Sequence, residues 1–410
     1  MDKSNKVLIL SIIVMMGFVM AVIYHYILGS YLDKPYPYNT FLWPSKMAFQ
    51  DFTDFLPAAK NLNPFGKIDA HVNYFPLAYL ILFPFAFITN KMASYLCFTS
   101  IFLFVFTYMN IKNFSCENLT RLQNFQNIFI LTTASYPLIT LLDRGNFDMM
   151  LFVLFVVFIY SFNSKQYLMS AMILAVMNAI KPFSLIFLVL FLFKKKFKYL
   201  LLSTIVSFAL IMGSFMVLKG NFFDQISTLI VNLSTIKSFY VYENFNHRGM
   251  FAGSSLFMAL KLLFTRFTIS SLVLTPVLSK FYTYLSLLIT AIVVFFGAKE
   301  KIFWKQISLL SLYMLLMPYI TNDYKLIFLF VPIWLFVNAK EKTKFDLAYA
   351  ILFGLLLIPK NIIIPYSLAN LPWWFSASIL INPLIIMIFM GLIIFEQFSK
   401  KQIKEGNNEY

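Results

Sequence analysis

The stretch Val7–Leu28, VLILSIIVMMGFVMAVIYHYIL, decides the fold class. About 20 apolar residues wound as a helix cross the ~30 Å hydrocarbon core of a bilayer. Lipid offers the backbone no hydrogen-bond partners, so such a run must be a helix or belong to a closed barrel. This one is continuous rather than alternating, which excludes a barrel strand. It is also too long for a removed signal peptide and lacks a small-residue cleavage site, so it reads as a retained helix.

The same pattern recurs along the chain. Apolar runs near 7–28, 74–89, 92–111, 127–142, 147–162, 167–193, 199–219, 278–297, 304–318, 325–338, 346–359 and 375–396 give about 12 transmembrane helices. The run 167–193 carries Lys181–Pro182 in its middle. Proline removes a helix hydrogen bond, so this run reads as one broken span. A hydrophobic content of 60%, with 50 Phe and 20 Met, excludes a soluble globular protein. The expected fold is an all-α polytopic membrane protein, residues 1–410 forming one integral membrane domain. Two cysteines, Cys97 and Cys116, give neither a disulfide framework nor a metal set.

The formal net charge of +16 suggests nucleic acid until its placement is considered. Most of the excess follows apolar spans in short clusters, the positive-inside pattern. With the N-terminus inside, 17 Lys and Arg collect on the cytoplasmic side, Arg144 and Lys194-Lys195-Lys196 among them. The short outer loops hold only Lys112, Arg121, Lys165, Lys325 and Lys360. Both termini are therefore expected in the cytoplasm, including a tail over 397–410. Two long segments, 29–73 and 220–277, fall outside and contain stretches that read as interfacial helices. Loops this long suggest a site built at the outer surface, and Trp373-Trp374 reads as part of an aromatic belt.

The first outer loop holds Asp51 and Asp54, in a chain with only 17 acidic residues. An ionisable group at the membrane boundary is a functional candidate by default. An aspartate there can deprotonate an acceptor hydroxyl if it comes within ~2.6–3.2 Å of it. Two carboxylates this close could also hold a divalent cation; the plainer alternative is that one caps the helix through Ala58-Ala59. Where a substrate carries an anionic group such as a phosphate, the arginine fork binds it best. Only four arginines occur, and Arg248 follows His247 in the second outer loop. His247 and Arg248 are therefore candidate donor contacts, with His71 and Lys325 as further ones. Lys181, mid-span, requires a carboxylate, a phosphate or a water-filled cavity as its partner.

These segments resemble glycosyltransferase family 87. Asp51-Phe52, Phe55 and Ala58-Ala59 come first, then Asn63-Pro64-Phe65 and Tyr74-Phe75-Pro76-Leu77-Ala78. Arg144-Gly145-Asn146-Phe147-Asp148 resembles the family's Gly-Gln-x-Asn, with Asn146 for Gln and Asp148 for Asn. Lys181-Pro182 resembles its Lys-Pro helix, Gly253-Ser254-Ser255-Leu256 its Asn-x-Ser-Leu segment without the Asn, and Met317-Pro318-Tyr319 a late Pro-aromatic segment. The resemblance implies a GT-C fold, a polyprenyl-phosphate sugar as donor, mannose or a related hexose as the sugar, and inversion. It puts Asp51 at the family's aspartate position and makes Arg144, Asn146 and Lys181 candidate donor contacts. The expected partners are membrane lipid and a glycan or glycolipid acceptor, with no nucleic acid and no certain cofactor. A polysaccharide polymerase or ligase would rely on Arg and His in a late outer loop. A transporter or lipid flippase would show inverted repeats, and none is visible. Charge counting leaves Arg144 inside, far from Asp51, unless spans four and five form a shorter re-entrant pair.

Overall fold

The computed structural model describes residues 1–69, 72–239, 254–267, 271–368 and 371–406, and the chain forms two compact units. One comprises Met1–Phe41, Asn110–Pro137 and Arg248–Tyr410, the other Leu42–Met109 and Leu138–His247.

In the first unit the helix Lys3–Tyr26 packs along Asp346–Leu357. Gly17 permits this approach, because a Cβ there would stand 2.4 Å from Ile358 Cγ2; small residues at helix crossings let backbones come close in membranes. Helices Phe303–Leu316, Phe330–Val337 and Ser378–Gly406 build the rest of the core around the buried Trp334. The Trp334 indole N–H donates to Asn110 Oδ1 at 2.9 Å. Lys305 pairs with Glu396, whose Oε2 also accepts the Tyr349 hydroxyl at 2.9 Å.

The second unit is held by helices Lys91–Phe114, Asp148–Asn163, Tyr167–Ile180 and Phe197–Val217, the first of which continues past the unit's edge. Its core is aromatic: Phe98, Phe102, Phe106, Phe147, Phe152 and Phe155 are fully or almost fully buried. Pro182 breaks the run 167–193 as expected. Lys181 takes extended backbone (φ −145°, ψ 130°) between Tyr167–Ile180 and the 3-10 turn Pro182–Leu188. A residue before proline is driven out of the helical region by the ring's Cδ. The opened helix end is used, with the Phe75 N–H donating to the Ile180 carbonyl at 3.3 Å.

The expected count of about 12 spans is not confirmed. Among the described residues only five helices are long and apolar enough to cross a membrane, six if the bent pair Arg121–Thr133 and Tyr136–Arg144 counts as one span. Most of the other expected spans are shorter apolar helices of 10–17 residues, such as Asp148–Asn163 and Phe303–Leu316. An apolar run measures burial in something apolar, not helix continuity, and prolines such as Pro182 divide the runs. The chain is predominantly helical, as expected, and carries one strand pair, Ile363–Leu368 antiparallel to Leu371–Ser376 with Ile363 opposite Ser376. Pro365 and Pro372 oppose helix here, while the β-branched and aromatic neighbours favour extended chain. Trp373-Trp374 lies in this second strand. In the segment 220–277 the helices Phe222–Ser238 and Leu256–Phe267 form, and the eighth run begins earlier, in the helix Ser271–Lys299.

Candidate active site

The site is assembled on the second unit from three pieces of chain. The first is the short helix Gln50–Thr53, entered through Phe49 in left-handed backbone (φ 57°). A non-glycine residue held there costs of order 1–3 kcal/mol and persists only when its surroundings enforce it. Here they do. The Phe49 N–H donates to the Asp143 carbonyl at 2.7 Å, and its ring stacks on Tyr95 with centroids 4.2 Å apart. Asp143 also fixes the preceding loop, its Oδ2 accepting the Trp43 N–H at 2.9 Å. The Tyr95 hydroxyl in turn donates to the Leu142 carbonyl at 2.6 Å.

The second piece is the turn Arg144-Gly145-Asn146, between the helices Tyr136–Arg144 and Asp148–Asn163. Gly145 has φ +65°, and a Cβ on it would lie 3.1 Å from Phe52 Cβ and 3.2 Å from Phe49 Cα. Only glycine satisfies both the backbone and the space. The turn brings the side chains on either side of it to the same carboxylate. Arg144 Nη2 donates to Asp51 Oδ1, and Asn146 Nδ2 donates to Asp51 Oδ2 at 2.7 Å. The Arg144 guanidinium also lies over the Trp43 ring, 4.4 Å from its centroid, a cation–π contact.

The third piece is the break at Lys181. Its ammonium donates to Asp148 Oδ1 at 2.7 Å and to Asn146 Oδ1 at 3.2 Å, and sits 4.3 Å from the Tyr74 ring centroid. Asn146 Oδ1 additionally accepts the Asp148 backbone N–H at 3.0 Å, an Asx-type turn at the start of the helix. Four charges of alternating sign, Asp51, Arg144, Asp148 and Lys181, thus run through one amide. Asp51 and Arg144 keep 18% and 13% of their side-chain surface open, while Asp148 is sealed. The pair at the outer end is reachable by a substrate. At the other end only Asp148 is closed off, since Lys181 keeps 11% of its side-chain surface open.

Asp51, Arg144, Asn146 and Lys181, expected on separate grounds, therefore converge. The ion pair corrects the charge count, which had put Arg144 on the opposite side of the membrane from Asp51. Counting by alternation assumes that every run crosses fully, and the helix pair Arg121–Thr133 and Tyr136–Arg144, bent by 45°, is a broken span or a re-entrant loop. Asp54 does not join the network among the described residues; it is exposed, at the end of Gln50–Thr53. Nor does either Asp cap a helix, since neither Gln50–Thr53 nor Leu56–Lys60 has a side-chain cap. Lys325 and Asp323 belong to the first unit. The Asp323 carboxylate is bound by Asn382 Nδ2 at 2.9 Å, and burial pushes it up to about 6 against the pull of Lys360. His71, His247 and Arg248 lie outside the described residues. No group of three or more His, Cys, Asp and Glu side chains converges among the described residues.

Trp43, Phe49 and Tyr74 escaped the sequence reading as site residues. Tyr74 stood in a segment resembling the family without being singled out, and Trp43 and Phe49 had as signal only aromatic character within eight residues of Asp51, in a chain with aromatics everywhere.

No curated protein and no solved structure matches the chain. The sequence model of glycosyltransferase family 87 does, over residues 73–318. The matched region holds Arg144, Asn146, Asp148 and Lys181 and begins after Asp51, which the ion pair and the amide bring to them. With more than half of its length matched and its apolar helices built to cross a bilayer, the chain belongs to glycosyltransferase family 87 and is a membrane glycosyltransferase.

Proposed function

We propose that the enzyme moves a hexose, mannose or a close relative, from a polyprenyl-phosphate donor to a glycan or glycolipid acceptor. The reaction takes place at the outer face of a bacterial-type cytoplasmic membrane, with both chain termini in the cytoplasm. Asp51 is the general base. The acceptor hydroxyl gives its proton to an Asp51 carboxylate oxygen as its own oxygen bonds to the sugar C1. The bond from C1 to the phosphate oxygen breaks, and its electron pair leaves with the lipid phosphate. One displacement inverts the anomeric carbon and needs no covalent enzyme intermediate.

The observation that carries this reading is the partly open Asp51 held beside Arg144. A carboxylate offers about four lone-pair sites. Arg144 and Asn146 occupy one on each oxygen, which leaves a site on each for a hydroxyl. Arg144 supplies a fixed cation in the site, and a preorganised charge costs no reorganisation in the transition state. A lipid-borne donor also explains why the chain needs no Gly-rich nucleotide loop.

The test is sugar transfer by purified protein in lipid, from polyprenyl-phosphate mannose to a panel of glycan and glycolipid acceptors. Asp51→Asn is expected to lower the rate by about 10²–10⁴-fold, the usual worth of a general base. Transfer that survives both Asp51→Asn and Asp54→Asn sinks the assignment of a carboxylate base.

A further inference from the structure

Lys181 fits the structure poorly as a phosphate ligand, because its ammonium is engaged on several sides. Asp148 Oδ1, Asn146 Oδ1 and the Tyr74 ring surround it. Its backbone is fixed by Pro182. Asp148 is fully buried, and its Oδ2 has no hydrogen-bond partner among the described residues. A buried carboxylate in that state depends on its one cation, since losing the partner of a buried pair leaves an uncompensated charge.

We propose that Lys181 and Asp148 are positioning residues for Asp51, acting through the side-chain amide of Asn146. The inference rests on the reading of Asp51 as base. An asparagine amide has one accepting and one donating end, and which end faces where is settled by its neighbours. At Asn146 two donors, the Lys181 ammonium and the Asp148 backbone N–H, converge on Oδ1. Nδ2 must then face Asp51 Oδ2. Turning the amide over would set its NH₂ against an ammonium and an N–H, and its oxygen against a carboxylate. All three hydrogen bonds would be lost, and each would become a repulsion. Lys181 thus fixes the polarity of the amide, and the amide fixes one oxygen of Asp51. Arg144 holds the other. The carboxylate plane is set from both sides, and the remaining lone pairs keep one direction. A base earns its rate only when it is oriented on the proton it takes.

The experiment uses the full chain in lipid with two readouts. One is the labelling of Asp51 by a hydrophobic carbodiimide, which reacts with protonated carboxyls, followed by peptide mass spectrometry. The other is kcat and donor KM for polyprenyl-phosphate mannose. Lys181→Met is expected to raise Asp51 labelling several-fold and to lower kcat about 10-fold, with donor KM within about twofold. Lys181→Arg keeps a donor at Asn146 and is expected to restore most of both. A merely structural lysine would lower the amount of folded protein without changing labelling or kcat per folded molecule, and that result overturns the proposal. So does a rise in donor KM at unchanged kcat, which makes Lys181 a donor ligand. If Lys181→Met does not fold, Asn146→Asp replaces it, because this isosteric change keeps a partner for Lys181 and turns the donor to Asp51 into a carboxylate oxygen that repels it. It is expected to cost about 10²-fold in kcat, and wild-type kcat with wild-type labelling overturns the proposal. Transfer that survives Asp51→Asn defeats the base assignment alone, because labelling still reports whether Lys181 controls the Asp51 carboxylate.

Discussion

Two of the carboxylate–cation pairs in this largely apolar chain stand in contrast, Asp51 with Arg144 in one unit and Glu396 with Lys305 in the other. Each carboxylate also accepts a neutral donor: the Asn146 amide at 2.7 Å for Asp51, the Tyr349 hydroxyl at 2.9 Å for Glu396. Their surroundings separate them. Lys305 and Glu396 are closed off, with 1% and 4% of their side-chain surface exposed, between helices Phe303–Leu316, Asp346–Leu357 and Ser378–Gly406. Asp51 is partly open and stands on a strained loop, with left-handed backbone at Phe49 and at Gly145. A sealed pair on regular helices pins those helices together. An open pair on strained turns, where strain is held by surrounding structure, is arranged for chemistry. Under the proposed function, one carboxylate–cation pair thus serves stability and the other serves transfer.

Substitutions can break that division. The largest effect expected is on rate alone: Asp51→Asn abolishes most transfer, by about 10²–10⁴-fold, while the thermal midpoint in detergent moves little. Glu396→Gln should do the reverse. It strands Lys305 and is expected to cost about 3–5 kcal/mol of stability, read by thermal unfolding, with near-normal transfer per folded molecule. Full stability with lost transfer in Glu396→Gln would end the comparison. The double change Lys305→Met with Glu396→Leu removes both charges and should recover most of that loss, because apolar replacement of a buried pair is often neutral or better. Its remaining deficit is the unpaired Tyr349 hydroxyl, about 1–3 kcal/mol. Gly145→Ala comes next. Left-handed backbone and the crowding at Phe49 and Phe52 predict about 1–3 kcal/mol of strain, together with a loss of transfer as Arg144 and Asn146 leave Asp51. Asp54→Asn is expected to be the mildest, within about ±0.5 kcal/mol and with transfer near wild type. A large loss of rate there would move the base from Asp51 to Asp54.

Much of this was legible in the residues. Val7–Leu28 announces a membrane helix, and the helix Lys3–Tyr26 forms over it. Lys181-Pro182 announces a break, and proline's sterics place it there. Asp51 stood out because acidic residues are scarce. What escaped has physical reasons. The Asp51–Arg144 contact joins residues 93 apart in sequence, and no local periodicity encodes a meeting of that kind. Charge counting set them on opposite sides because it takes every apolar run as a full crossing. Short buried helices such as Asp148–Asn163 are as apolar as true spans, so composition cannot tell them apart. The strand pair Ile363–Leu368 and Leu371–Ser376 was hidden for a related reason, since six-residue strands rich in aromatics read like the edges of apolar runs.

The alternation of charge through Asp51, Arg144, Asp148 and Lys181 has one more consequence. Their formal charges sum to zero, so the cluster meets a donor phosphodiester as a neutral body. In the proposed reaction, the acceptor proton arriving at Asp51 makes that sum +1, in the same step in which the departing lipid phosphate gains its second negative charge. The cluster's electrostatic hold on the phosphate therefore grows with the progress of the reaction rather than with binding. A site of this kind favours the transition state over the bound donor, and it need not grip the donor tightly to work fast.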